Sequence, residues 1–411
     1  MPSQELTLEV LNGAVREAAA FRCRRRLEPA GGPGDKVFPP TFAGAVYALE
    51  QRRIPGREQP VTCVLLDSVQ SQANRMELAL QEAVDNQRLK MPLVVVDFSE
   101  HYDPKLDPDA AAKAGKLIDA IGTISSLQVP HRLADAILRD SELEGQPFRK
   151  TTKGRALNTV SLANATPLFE LCPTALVFGM WDSTGPKGGL GPKFERAMVS
   201  EIVGVEAEWR EDYRARGVRR DPLEISKNVL VLRNQDKSLL RVAEPQQKGA
   251  VRPSEINHSS VPFDSANAGV TVEYAEQITT LSLIALRRLR FPINGNAEHS
   301  VDSGARTVLA ALGLAAATLA FEAGADLRSR CLLWPDGPMV WELLERPAVE
   351  PKKFSLTGEE ALNLLEGSVA QAKQLGLPWP EQPLVLKPSA ELVKLVRLSQ
   401  VATASETERE T

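Results

Sequence analysis

The stretch from Thr166 to Gly204 reads TPLFELCPTALVFGMWDSTGPKGGLGPKFERAMVSEIVG, and it constrains the rest of the chain more than any other. Its first half ends in an apolar run, Thr174 to Trp181, whose β-branched and aromatic residues predict a buried strand. A glycine-rich loop, Asp182 to Lys193, follows at once. Gly185, Gly188, Gly189 and Gly191 can expose backbone N–H groups there, and Lys187 and Lys193 add positive charge. Beyond the loop, Phe194, Ala197, Met198, Ile202 and Val205 recur at a spacing that predicts a helix from about Phe194. Strand, basic loop and helix N-terminus would form an anion site, because orphan N–H groups and the helix dipole both favour phosphate. The nucleotide fingerprints are missing, since no Gly-Lys follows at triphosphatase spacing and Phe194 stands where the last glycine of GxGxxG belongs. A mobile surface loop is the plainer reading of the same residues.

With 411 residues, 43% of them hydrophobic, the chain can bury a large core as one elaborated domain or as two to three smaller ones. A net charge of −4 gives no global argument for nucleic acid, so only local basic clusters could supply one. Cys23, Cys63, Cys172 and Cys331 lie far apart without a CxxC pair, which predicts buried small hydrophobes rather than disulfides or a zinc site. The first residues lack the charged-then-apolar order of a signal peptide, so a cytoplasmic protein is expected. The longest apolar run, Val308 to Phe321, reads as a core helix and not as a membrane anchor.

In chain order, Leu6, Val10, Ala14 and Val15 predict an opening helix. Phe21, Cys23, Arg25 and Leu27 then alternate with Arg22, Arg24 and Arg26, as in a strand with one strongly basic face. The loop AGGPGDKVFPPTFAG carries Lys36 beside Phe38. That is equipment for a stacked base and its phosphate, or a solvated turn with Phe38 in the core. Val61 to Asp67 predicts a strand running into a helix whose buried face is Met76, Leu80 and Val84. Ser68, Gln70, Ser71, Asn74 and Arg75 crowd that helix's first turns; such side chains cap helices or grip phosphate and ribose, and capping accounts for one serine only.

Leu93 to Phe98 predicts a further strand, and the proline-rich, acidic segment from Glu100 to Thr152 an insertion. It ends at the basic cluster Arg149, Lys150, Lys153 and Arg155, either a solvated face or part of a binding surface. From Glu206 to Asp264, five arginines (Arg210, Arg214, Arg216, Arg219 and Arg220), a strand at Asn228 to Arg233 and a polar stretch predict a flap. Then come a strand at Val270 to Tyr274 and a helix defined by Ile278, Leu281, Ala285 and Leu289. Covering elements follow, with a helix near Thr307 to Glu322, strands at Leu327 to Trp334 and Met339 to Arg346, and a helix at Gly358 to Gln374. Ser399 to Thr411 reads as a disordered polar tail. His101, His131, His258 and His299 lie in no metal motif, there is no GxSxG elbow, and Asp35, Asp67 and Asp182 stand without a second carboxylate at matching spacing.

Five stretches together resemble one family: VLLDSVQSQANRMELAL, VPHRLADAILRDS, the opening stretch quoted above, EINHSSVP and GVTVEYAEQITTLSLIALRRLRFP. They are similar to the backbone subunit of the type I-G (formerly I-U) CRISPR Cascade effector, of the Cas-seven group of RAMP proteins, over about Phe21 to Pro292. The resemblance implies a hand-shaped α+β fold. Its RRM-like (ferredoxin-like) palm would take residues 1–98, 158–205 and part of 265–398, with fingers at 99–157, a thumb hairpin at 206–264 and a disordered tail at 399–411. It implies a subunit without catalysis or cofactor, copies of which stack along CRISPR RNA and leave its bases to a target DNA strand. The partners implied are further copies of itself, a fused Cas-five/Cas-six subunit and a large subunit, with no membrane. The family's RNA-gripping positions correspond to Lys36 and its neighbours and to Ser68, Gln70, Ser71, Asn74 and Arg75; charge and position add Lys153, Arg155, Lys187 and Lys193. Related type III subunits cut RNA with an aspartate in the loop after the first strand, which makes Asp35 the residue of an alternative, metal-dependent ribonuclease.

Overall fold

The computed structural model describes residues 4–42, 46–208, 229–233, 240–244, 247–253 and 269–409. The chain forms two units, one of Met1–Glu100, Ile121–Glu208 and Val270–Leu392, the other of His101–Ala120, Trp209–Gly269 and Val393–Thr411.

The first unit is built on the strand that the Phe21–Leu27 alternation predicts, β1 (Ala20–Pro29), with Phe21, Cys23 and Leu27 buried. The elements around it are β2 (Val61–Asp67), α1 (Val69–Asp85), β3 (Met198–Val205), β4 (Tyr274–Ser282), α2 (His299–Glu322), β5 (Trp341–Leu344) and α3 (Gly358–Gln374). In the sheet the order is β5-β1-β4-β3-β2, and every neighbouring pair is antiparallel. β1 and β3 are therefore parallel and joined through α1, and β4 and β5 are parallel and joined through α2. This is the βαββαβ arrangement of a ferredoxin-like sheet, with which the expected RRM-like palm is compatible. β2 extends the β3 edge.

α2 is buried nearly all round, which its alanine-rich composition allows: a Cβ at Gly313 would lie 3.3 to 3.4 Å from Met198, Leu281 and Val177. The helix is long and apolar enough to cross a membrane by length and composition, yet most of it is packed inside the protein. α3 has the bounds expected and opens on a capping box between Thr357 and Glu360.

Several elements differ from the reading of the sequence. Thr174 to Trp181 is not a strand: Thr174–Phe178 is a fully buried helical turn, ended by Gly179 at φ +84°, and only Met180–Trp181 is extended. A short apolar run buried on every side has no periodicity that separates helix from strand. The helix expected from Phe194 is the strand β3, whose last four residues, Ile202 to Val205, are buried on both faces, so helix-like spacing arises by coincidence. The helix expected over Ile278–Leu289 is mostly β4, where Ala275, Gln277, Thr279 and Leu281 alternate on the buried face; only Leu283–Arg287 is helical. Of the tail expected to be disordered, Ser399–Arg409 is the end of a helix, Ala390–Arg409, and Glu410 and Thr411 lie outside the described residues.

Leu93–Phe98 is a strand over Val94–Asp97, but it joins a second sheet, parallel to Leu384–Pro388. Of the expected flap, 206–208, 229–233, 240–244 and 247–253 are described. Val231–Arg233 pairs antiparallel with Leu240–Val242, while Arg210, Arg214, Arg216, Arg219, Arg220 and His258 lie outside the described residues.

The four cysteines are buried and unbonded, and burial pushes the Cys23 thiol up to about 12. Since the thiolate is the reactive form, a disulfide reagent at mildly alkaline pH is expected to titrate no thiol in the native protein and all of them after denaturation. Rapid native labelling would contradict the packing around Cys23.

Candidate nucleic-acid interface

The glycine loop is closed at its base by a two-residue ladder, Met180–Trp181 against Lys193–Phe194, which sets Trp181 opposite Lys193. The Asp182 N–H donates to the Pro192 carbonyl at 3.0 Å. The Asp182 side chain turns inward and is buried, and its Oδ2 accepts from Arg149 Nη2 at 2.7 Å. The loop wraps this pair closely. A Cβ at Gly185 would lie 2.4 Å from the Asp182 carboxylate, and one at Gly191 would lie 2.0 Å from the Asp182 carbonyl oxygen. Packing against Asp182 requires glycine at both positions. Because β3, and not a helix, follows the loop, the helix N-terminus of the expected anion site is absent.

The loop's contacts bring it against the other basic cluster. Lys187 Nζ donates to the carbonyl of Asn158 at 3.0 Å, and Arg139 Nη1 donates to Thr184 Oγ1 at 3.1 Å. Of that cluster, Arg149 and Lys150 lie on the turn Phe148–Lys150, and Lys153 and Arg155 on a short helix, Thr152–Ala156, capped by Thr151 and pressed onto that turn, where a Cβ at Gly154 would lie 1.9 Å from the Phe148 carbonyl oxygen. Lys150, Arg155, Lys187, Lys193 and Arg196 are exposed, and Lys153 is half-exposed, 3.2 Å from Glu170. Lys187 is thus brought to the segment that carries Lys153 and Arg155, and Lys193 stands at the base of the same loop. Lys193 Nζ lies 5.3 Å over the ring of Trp181, which is 50% exposed.

A second ion pair is buried. Arg132 donates to both oxygens of Glu77 at 2.7 Å and to the Gly179 carbonyl at 2.9 Å. Burial pushes the Glu77 carboxyl up, and the Arg132 guanidinium draws it back.

The other expected group is held by a separate network. Ser68 caps α1 by accepting from the Ser71 N–H at 3.3 Å, so capping does account for one serine. Gln70 and Asn74 are exposed on the first turns. Arg75 is spent on structure: Nε donates to Asp67 at 3.0 Å, and its terminal nitrogens donate to the Asp326 and Leu327 carbonyls at 3.1 and 2.6 Å. Arg328 lies 3.5 Å from Asp67 and donates to the carbonyls of Leu66 and Phe38, which ties the Lys36 loop to the start of α1. Lys36 is half-buried, and Phe38 lies under the Arg330 guanidinium at 4.3 Å. A buried amide network that sequence reasoning missed joins α1 to the sheet: Gln72 accepts from Ser200 Oγ at 2.9 Å and from Gln277 Nε2 at 2.7 Å.

The strongly basic face expected on β1 is instead a face of ion pairs. Arg22 meets Glu342 at 2.7 Å, Arg24 meets Glu276, and Arg26 lies about 4 Å from Glu273 and Asp336 while stacking on Tyr274. The partners arrive from β4, β5 and their flanks, far away in sequence. Asp35 accepts from the Lys36 N–H at 2.8 Å, and among the described residues no group of three His, Cys, Asp or Glu side chains is placed to hold a metal ion.

An α+β chain built on a mixed sheet, with a basic, glycine-rich loop before the strand β3, is the class that the structure defines. Within that chain, residues 21–209 match a family model described as CRISPR-associated protein GSU0053 (Cas_GSU0053), a match over slightly less than half the chain. It spans β1, β2, α1, the glycine loop and β3, and it indicates a CRISPR-associated family and a role in CRISPR–Cas defence. No curated protein matches the chain.

Proposed function

We propose that the chain is a non-catalytic backbone subunit of a type I-G Cascade effector. Copies pack along the CRISPR RNA, each holding its phosphates and riboses so that the bases stay free to pair with target DNA. The fused Cas-five/Cas-six subunit and the large subunit complete the particle. The observation that carries this reading is the contact of two basic segments, Arg149–Arg155 and Lys187–Lys193, through the Arg149–Asp182 pair and the Lys187–Asn158 hydrogen bond. Lysines and arginines that grip phosphate bind any guide sequence, which a subunit serving every spacer needs. The acidic net charge is no obstacle, because carboxylates are consumed on the open face of the sheet while the loop lysines reach solvent.

Replacing Lys187 and Lys193 together by Ala is expected to weaken binding of the full chain to single-stranded RNAs of unrelated sequence by a similar factor. The slope of log K against log salt should shrink by roughly 0.7 for each phosphate that is no longer neutralised. An unchanged affinity and slope would refute the interface. The absence of catalysis has its own test, in which the assembled complex, given complementary RNA and magnesium, leaves that RNA intact. Asp35-dependent cleavage would replace this reading with the ribonuclease one.

A further inference from the structure

Five residues of the run Thr174–Phe178 are completely buried, but the tryptophan three positions later is turned outward. Trp181 is half-exposed, opposite Lys193 in the loop ladder, with a lysine ammonium over its ring. Further along the same loop, Leu190 is 90% exposed on the turn Gly188–Leu190. The indole does not hang on a loose strand. The ladder on one side, the Asp182–Pro192 bond and the Arg149–Asp182 pair hold the backbone that carries it. A half-exposed aromatic ring beside a cation is the equipment by which proteins stack an unpaired base without reading its identity.

We infer that Trp181 is a stacking platform for one unpaired nucleobase of a single strand, with Lys193 and Lys187 meeting the neighbouring phosphates. The inference rests on the RNA-binding reading above and adds a base contact to a surface otherwise argued from charge. One nucleotide per copy is then held by its ring as well as by its backbone.

The test compares a single-stranded oligoribonucleotide with an abasic strand of the same length, which keeps the phosphates and lacks the rings. The full-length wild-type protein is expected to prefer the base-bearing strand by about 5- to 150-fold, the range that removal of one stacked base produces. W181A should lose that preference while its affinity for the abasic strand stays unchanged, and W181F should keep most of it. An absence of preference in the wild-type protein overturns the inference without recourse to any variant. Equal weakening of both strands in a folded W181A protein also overturns it, since the tryptophan then only supports the loop. If the Lys187/Lys193 variant loses RNA while W181A does not, the stacking inference fails alone; if neither loses it, the RNA-binding reading fails with it.

Discussion

Arg132→Met is expected to destabilise the first unit by about 3–5 kcal/mol, the cost of leaving one member of a buried ion pair without its partner. Arg132 and Glu77 are both buried, and the guanidinium satisfies both carboxylate oxygens as well as the Gly179 carbonyl. Arg132 itself stands at φ +51°, a conformation a non-glycine residue adopts only when its contacts hold it there. Removing the arginine strands the Glu77 charge in the core and frees the turn before Met180 that supports the glycine loop. The double variant E77Q/R132M leaves no charge stranded and should be the more stable of the two by chemical denaturation.

The gap between these variants carries a pH signature. In R132M the Glu77 carboxyl keeps its burial and loses the cation that lowers it, so its folded-state pKa rises further above the ordinary glutamate value. The native state then binds a proton that the unfolded chain releases, and stability falls as pH rises between those two values. The gap should therefore be widest near neutrality and close as pH falls towards about 4.3. A gap that stays constant with pH would mean that the loss is one of packing and not of charge.

Neither buried pair was legible in the sequence, and the reason is physical. Glu77 sits on the helical face that Met76 and Leu80 identify as buried, and a lone carboxylate there has no partner until the fold brings Arg132 across from an irregular segment. What was legible is what local pattern dictates. β1, β2, α1 and α3 form close to where apolar alternation, helical spacing and, for α1, the Ser68 cap place them. β3 has no period over its last four residues, which are all buried, and in β4 the alternation is hidden because Gln277 and Thr279 stand on the buried face while Ile278 and Leu281 fall on helical spacing by chance. The basic residues of the loop and of the 149–155 segment were legible by charge, their meeting was not, and Trp181 was hidden inside an apolar run that is otherwise core. Arg22, Arg24 and Arg26 show the converse error, since a cation is read from its own residue and its neutralisation depends on strands far along the chain.

The glycines of the loop allow a test of shape against composition. At Gly191 an added methyl would fall 2.0 Å from the Asp182 carbonyl oxygen and 3.1 Å from that of Gly188, whereas at Gly189 nothing lies within 4 Å. Asp182 cannot give way cheaply: its N–H is bonded to Pro192 and its buried carboxylate to Arg149, so the loop must open or the pair must part. Gly191→Ala is therefore expected to lower RNA affinity about tenfold, a loss of roughly 1.4 kcal/mol, through displaced Lys187, Lys193 and Trp181. Gly189→Ala should bind as the wild type does. Were the loop a bare-backbone cradle for phosphate, both substitutions would block close approach and both would weaken binding. The titration that separates the two glycines thus distinguishes a loop that presents side chains from one that presents its own N–H groups, and equal losses would reject the former.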